Sequence, residues 1–321
     1  VATQRGLCRN FSQGRAERTF KCIGIVGFGL MGSQIAQFFA QQGYDVVAVD
    51  SRKEALEKGI NSIKNGRFGV KKLVEKGKMS ESEAEKVISR IRTSVDYSDL
   101  KECDLVIEAV YEDIDLKLRV FREISSICDA VLASNTSSIS ITKLSSAVKD
   151  PNRFLGMHFF NPAQIQKLVE LIEGLLTDRK LVQEIRDWLL KLGKVPIIVK
   201  DSPGFATTRL GLILGKEAML MLQEGVATPQ DIDIAMMLGY GYTMGPIETG
   251  DLVGLDTRLR IFEAMFQMTK DPKWAPPKLL VQLVDAGYLG DPSVKPGSKG
   301  GVYEYYGQER ASQLLKRLGI R

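Results

Sequence analysis

The sequence predicts an α/β chain: a doubly wound, mainly parallel sheet with a helical-hairpin insertion, followed by an all-α second half. Three observations carry this. From Lys21 to about Asp201, short apolar runs suited to strands buried on both faces alternate with helix-period segments. The first of these strands meets its helix through a glycine-rich turn, Gly27-Phe28-Gly29-Leu30-Met31-Gly32. Beyond Pro203 helical patterns dominate.

Composition bounds the possibilities. A chain of 321 residues suits one large or two ordinary domains with ample core. Its 44% apolar and 26% charged content is that of an ordinary globular protein. No apolar run approaches a membrane span, and the net charge of +5 is too modest to mark a nucleic-acid binder, so neither partner is expected. Cys8, Cys22, Cys103 and Cys128 form no CxxC pair, and there is a single histidine, His158. Neither a disulfide framework nor a structural metal site is expected, which points to a reducing, cytoplasmic compartment. Residues 1–19 carry Arg5, Arg9, Arg15 and Arg18 against Glu17 and show no apolar periodicity. We read them as a disordered extension; a transit segment, with a mitochondrial matrix location, is the alternative.

Lys21 to Val26 is the first strand, Ser33 to Gln42 the first helix, and Asp45 to Val49 a second strand ending in Asp50. Strand, turn, helix, strand and acid in this order form a dinucleotide fingerprint. Gly27 permits the tight turn, Gly29 lets backbone approach a pyrophosphate, and Gly32 lets helix pack on strand. Phe28, Leu30 and Met31 complete the cradle, and the helix N-terminus offers N–H groups to phosphate. Asp50 would bind ribose hydroxyls and repel a 2′-phosphate, favouring NAD over NADP; Arg52 is the opposing feature.

Residues 53–90 read as two or three amphipathic helices. Between Arg52 and Lys78 there are nine basic residues and three acidic ones. This is either a solvated face or an arm that attracts a phosphate-bearing ligand. Strands follow at Ile91 to Thr93 and at residues 105–107, the latter running into Glu108, Glu112 and Lys117, which we place at the carboxyl edge of the sheet beside the cofactor. The strand Ala130 to Ala133 ends in Ser134-Asn135-Thr136-Ser137-Ser138, more small polar groups than a helix cap needs. The strand Phe154 to Phe159 brings His158 to the same edge.

Ser134 to Ser138, His158-Phe-Phe-Asn-Pro162, Leu168-Val-Glu170 and Asp201-Ser-Pro-Gly-Phe205, together with the fingerprint, resemble the 3-hydroxyacyl-CoA dehydrogenase family over about residues 20–306. The resemblance implies a Rossmann-like NAD-binding domain (20–201) and a helical substrate and dimerisation domain (202–321), with acyl-CoA as substrate and a homodimer as the assembly. It implies transfer of hydride between C3 of a 3-hydroxyacyl-CoA, short-chain by preference, and NAD. It makes His158 the general acid/base, Glu170 its carboxylate partner, and Ser137 the hydroxyl on the C3 oxygen. Asn161 falls in the cofactor and catalytic site, Glu112, Lys117 and Asn135 at the cofactor, and Ser62 and Lys76 on CoA. Imidazole titrates near neutral pH, so it can take and return the hydroxyl proton that accompanies hydride loss.

Two departures stand out. In much of the family an active-site Asn follows the Pro-Gly-Phe motif; here Thr208 occupies that place, with the lesser hydrogen-bonding capacity of a hydroxyl. The closing segment reads Lys299-Gly-Gly-Val-Tyr303 after a Pro/Gly-rich insert at 291–298.

Leu181 to Leu192 reads as a helix and Val195 to Val199 as the last strand. Leu210 to Leu222 is apolar nearly all round, with Gly211 and Gly215 suited to close helix approach, so it should be buried in its own core or in a dimer. Two other functions fit the same motifs: an L-gulonate 3-dehydrogenase-like enzyme, which the basic arm disfavours, and a non-catalytic NAD-binding structural or sensor protein, which should show erosion of the catalytic set.

Overall fold

The computed structural model describes residues 20–320; the basic segment 1–19, and with it the expectation of a disordered extension, lies outside them. β1 (Cys22–Val26), α1 (Leu30–Gln41) and β2 (Asp45–Val49) form the first βαβ unit, with β1 and β2 parallel. Three helices, α2 (Lys53–Asn65), α3 (Val70–Glu75) and α4 (Glu81–Ser89), then stand where a plain crossover would be. Ser80 and Glu83 form a capping box that fixes the start of α4.

The chain returns through β3 (Ile91–Ser94), β4 (Leu105–Glu108), α5 (Ile114–Ile127), β5 (Val131–Ser134), α6 (Ile141–Ser145) and β6 (Phe154–Phe159). β7 (Leu168–Glu173), α7 (Arg179–Lys191) and β8 (Val195–Lys200) complete an eight-stranded sheet of order β3-β2-β1-β4-β5-β6-β7-β8.

β7 runs antiparallel to β6, and β8 is parallel to β7. The sequence pattern alone does not mark β7 as a strand. Only residues 160–167 separate it from β6, too few for the crossover a parallel pair requires. The reversal sets His158 opposite Glu170 in the ladder.

Helices cover both faces of the sheet. On one, Leu181, Val182, Ile185, Trp188 and Leu189 of α7 fall at helical spacing and pack with Phe38 and Phe39 of α1. Trp188 stacks on Phe39 with ring centroids 5.4 Å apart. On the other face, Val120, Phe121 and Ile124 of α5 pack against Val106, Leu132 and Phe154. Each such side chain withdrawn from water contributes about 1.5–3 kcal/mol.

From residue 207 onward the described chain is helical: α8 (Thr207–Gln223), α9 (Pro229–Gly239), α10 (Pro246–Val253), α11 (Leu255–Thr269), α12 (Lys278–Asp285), α13 (Val302–Tyr306) and α14 (Ala311–Arg317). Its separate core holds Trp274, Phe262 and Tyr303. Buried carboxylates organise the helix starts. Asp233 accepts the N–H groups of Ile247 and Glu248, and Asp251 those of Val302 and Tyr303. Burial pushes Asp251 up to about 6.

The two glycines of α8 behave differently. A Cβ at Gly215 would lie 2.1 Å from the Arg258 guanidinium, so this glycine does admit α11 closely. Gly211 faces open space. The helix is also only half-buried: Leu210 is 70% exposed and Ile213 38%. No described helix is long and apolar enough to cross a membrane.

Candidate active site

His158 Nδ1 lies 2.7 Å from Glu170 Oε2, and the Glu170 side chain is fully buried. The contact follows from the ladder, because directly opposed residues on an antiparallel pair project to the same face. The remaining valences of the carboxylate are also engaged. Oε1 accepts the Ala206 and Thr207 N–H groups, and Oε2 accepts the Thr207 hydroxyl. Ala206 supplies no side-chain cap to α8, so Glu170 does that task from another strand. Burial alone would raise its pKa. The bonds from His158 and Thr207 outweigh burial and hold Glu170 below the usual carboxylate range. A carboxylate accepts only, so neutral His158 carries its proton on Nδ1 and Nε2 bears the lone pair. Phe160 and Phe205 flank the ring, with centroids at 4.5 and 6.1 Å.

The turn that delivers Ala206 and Thr207 is unusual. Gly204 has φ 73°, and Phe205, a non-glycine, has φ 50°. A left-handed residue of that kind costs about 1–2 kcal/mol. Burial of the Phe205 ring and the bonds to Glu170 offset it. At the start of α8 the bonds to Glu170 come from Ala206 and Thr207, and Thr208 follows in the same turn.

At the carboxyl end of β4, Glu112 gathers the β5 loop. One of its oxygens accepts from the Thr136, Ser137 and Ser138 hydroxyls and from the Ser137 and Ser138 N–H groups. Burial opposes its ionisation, yet the Lys117 charge and these bonds keep its pKa low. Lys117 is 1% exposed; Nζ sits 2.6 Å from Glu108 Oε1 and 3.4 Å from Glu112 Oε2. Lys117 therefore buttresses the loop from beneath. Glu108 also accepts the Ser134 hydroxyl, and Asn135 Oδ1 accepts the Phe159 N–H, tying β5 to β6. Much of the polar character of residues 134–138 thus serves the loop itself. The Ser137 N–H holds Glu112 at 3.0 Å, while its hydroxyl makes only a long 3.3 Å bond.

The glycine turn fits a dinucleotide. Gly27 has φ 89°, and a Cβ on Gly32 would lie 1.9 Å from the Gly27 carbonyl oxygen, so turn and helix can meet only without side chains. A Cβ on Gly29 would meet no atom within 4 Å and would occupy the open cleft that Gly29 lines. No side chain caps α1, which leaves its first N–H groups for an anion. Asp50 Oδ2 accepts the Phe28 N–H at 2.9 Å, while Oδ1 accepts the Arg52 N–H. Arg52 itself is exposed and lies over the Tyr111 ring at 5.9 Å. The cleft, about 350 Å³, is lined by Phe28, Gly29, Leu30, Arg52, Lys58 and Ser62 among others. Lys76, beyond the end of α3, is outside that lining.

Asn161 follows β6 on the exposed loop, its Oδ1 accepting from Gln34 Nε2 at 2.9 Å. Sequence reasoning missed Gln34, Thr207 and Lys194. Lys194 is buried, donating to the Ala163 and Gln166 carbonyls and lying 4.1 Å over the Phe38 ring. The only sequence signals were polar residues inside apolar runs, a pattern too common to single them out.

Two family models match. The 3-hydroxyacyl-CoA dehydrogenase NAD-binding domain covers residues 22–202, and the 3-hydroxyacyl-CoA dehydrogenase C-terminal domain covers residues 204–305. The chain is 39% identical over 289 residues to a 3-hydroxybutyryl-CoA dehydrogenase of Bradyrhizobium diazoefficiens, covering 89% of this chain and 96% of that one. It is 38% identical over 285 residues to the Clostridioides difficile protein of the same name, covering 88% and 99% respectively. The solved structure of (S)-3-hydroxybutyryl-CoA dehydrogenase from Ralstonia eutropha superposes with a TM-score of 0.83 at 41% identity, over 89% of this chain and 99% of the other.

Proposed function

The chain belongs to the 3-hydroxyacyl-CoA dehydrogenase family and is an NAD-dependent oxidoreductase; on that premise we propose that it interconverts (S)-3-hydroxyacyl-CoA and 3-oxoacyl-CoA, short-chain by preference, with His158 as acid/base. The observation that carries the mechanism is the 2.7 Å contact between His158 Nδ1 and a buried Glu170.

In the oxidative direction His158 Nε2 takes the proton of the C3 hydroxyl. Glu170 fixes the tautomer that leaves Nε2 free and stabilises the imidazolium that results. The Gly27 to Gly32 turn and Asp50 would hold NAD, which would supply the hydride acceptor for C3. Ser137 holds the C3 oxygen, exchanging its long bond to Glu112 for one to substrate. In reverse, the same imidazole returns the proton. Gly27 to Gly32 and Asp50 seat the cofactor, Asn135, Asn161 and Glu112 border it, and Lys117 braces Glu112 from below. Thr208 lies in the first turn of α8 and adjusts substrate preference.

CoA carries several phosphates, and Arg52, Lys58 and Ser62 share the cleft with the glycine turn. This supports a CoA ester over an uncharged-tail sugar acid. Comparing turnover of acetoacetyl-CoA with NADH against L-gulonate with NAD tests the reading. Preference for the thioester is expected; preference for gulonate, or no turnover of either, overturns it.

The exposed Leu210 and Ile213 on α8 support a homodimer formed through the helical half. Light scattering at micromolar concentration should give twice the 35.6 kDa chain mass, and a stable monomer would refute it. We place the enzyme in the cytoplasm.

A further inference from the structure

We propose that Gln34 is a positioning residue that decides which end of the Asn161 amide is offered to the active site. This rests on the functional reading above, which puts Asn161 in the catalytic cleft. Gln34 sits on α1, 8% exposed, two residues after the last glycine of the turn. Its Oε1 accepts the Ala163 N–H at 2.9 Å, and its Nε2 donates to Asn161 Oδ1 at 2.9 Å.

The polarity of this chain is not arbitrary. A backbone N–H can only donate, so the Gln34 atom facing Ala163 must be its oxygen. The other end is then the amino group, which can only donate. Asn161 must answer with its oxygen, and its Nδ2 amino group is turned outward as a donor. Thus a main-chain N–H, relayed through Gln34, makes Asn161 a donor towards the cleft. The ligand atom it suits is an acceptor oxygen, of the thioester, the 3-oxo group or a carboxamide, and not a hydroxyl proton.

The loop does not depend on Gln34 alone. Lys194 ties the Ala163 and Gln166 carbonyls, and Gln164 reaches Gln37 at 3.4 Å. Substitution at 34 should therefore leave the loop in place and act on the amide.

The variant Gln34→Glu keeps the volume but accepts at both ends when ionised, so Asn161 must turn its amino group inward. At pH 8, with acetoacetyl-CoA and NADH, kcat/KM should fall at least about a hundredfold, the low end of the cost of one positioned donor. The melting temperature should be little changed. In an Asn161→Ala background the same Gln34→Glu change should cost less than about twofold, because its target is gone. If Gln34→Glu is as active as wild type, or its effect multiplies undiminished with that of Asn161→Ala, the inference is overturned. Absence of wild-type turnover overturns the functional reading and this inference with it.

Discussion

Glu170 faces His158 across the β6–β7 ladder, and the carboxylate that holds the imidazole also receives the first N–H groups of α8. The histidine is thereby oriented by a group that is itself anchored in the helical half of the chain. Misplacing the start of α8 should disturb the imidazole.

Replacing Glu170 with Gln should lower kcat by about 10²–10⁴-fold, the range for losing the orienting carboxylate of an acid/base histidine. The amide can donate to Nδ1 and so select the tautomer with a protonated Nε2. NADH binding, followed by fluorescence, should be retained. Full turnover in this variant would show that the carboxylate does not govern the tautomer.

Glu170 also makes stability depend on pH. Its pKa is depressed in the folded chain, so its contribution is fully present above the unfolded value of about 4.3 and is lost as pH falls through the lower folded value. Urea midpoints for wild type and Glu170→Gln should differ above the unfolded carboxylate value and converge as pH falls below the depressed folded one. A gap that widened on acidification would contradict the sign.

The contrast between Thr207 and Thr208 is equally specific. Thr207→Val removes the 2.9 Å hydroxyl bond to Glu170 and should reduce kcat several-fold, on the order of 1 kcal/mol. Thr208→Val should act mainly on KM for the acyl-CoA. Steady-state kinetics on the pair, with the reverse assignment, would return Thr208 to the catalytic contact.

Asp50→Asn keeps an oxygen for the Phe28 N–H but removes the charge that would repel a 2′-phosphate. The NAD to NADP ratio of kcat/KM should fall at least about tenfold, a change of ~1.4 kcal/mol. An unchanged ratio would mean that selectivity lies elsewhere.

Much of this was legible in the sequence because it is local. Gly27, Gly29 and Gly32 sit between a strand and a helix: Gly27 has a positive φ, Gly32 has no room for a side chain, and Gly29 lines the open cleft. The lone histidine narrowed the search for an acid/base to one residue. What escaped was non-local. β7 is read as a strand only once the short 160–167 loop is known to reverse the chain. Thr207 matters through a strand 37 residues away, and Gln34 through a loop 127 residues away. The polar run 134–138 read as ligand-facing; Glu108 and Glu112 claim most of it, since a strand-end turn must satisfy its own donors first.

We propose that His158 moves the proton at C3. Acetoacetyl-CoA reduction by NADH, compared between wild type and His158→Asn with NADH binding measured in both, tests it most directly. A loss of at least about two orders of magnitude in kcat with NADH binding intact is predicted. Near-normal turnover in His158→Asn would contradict it.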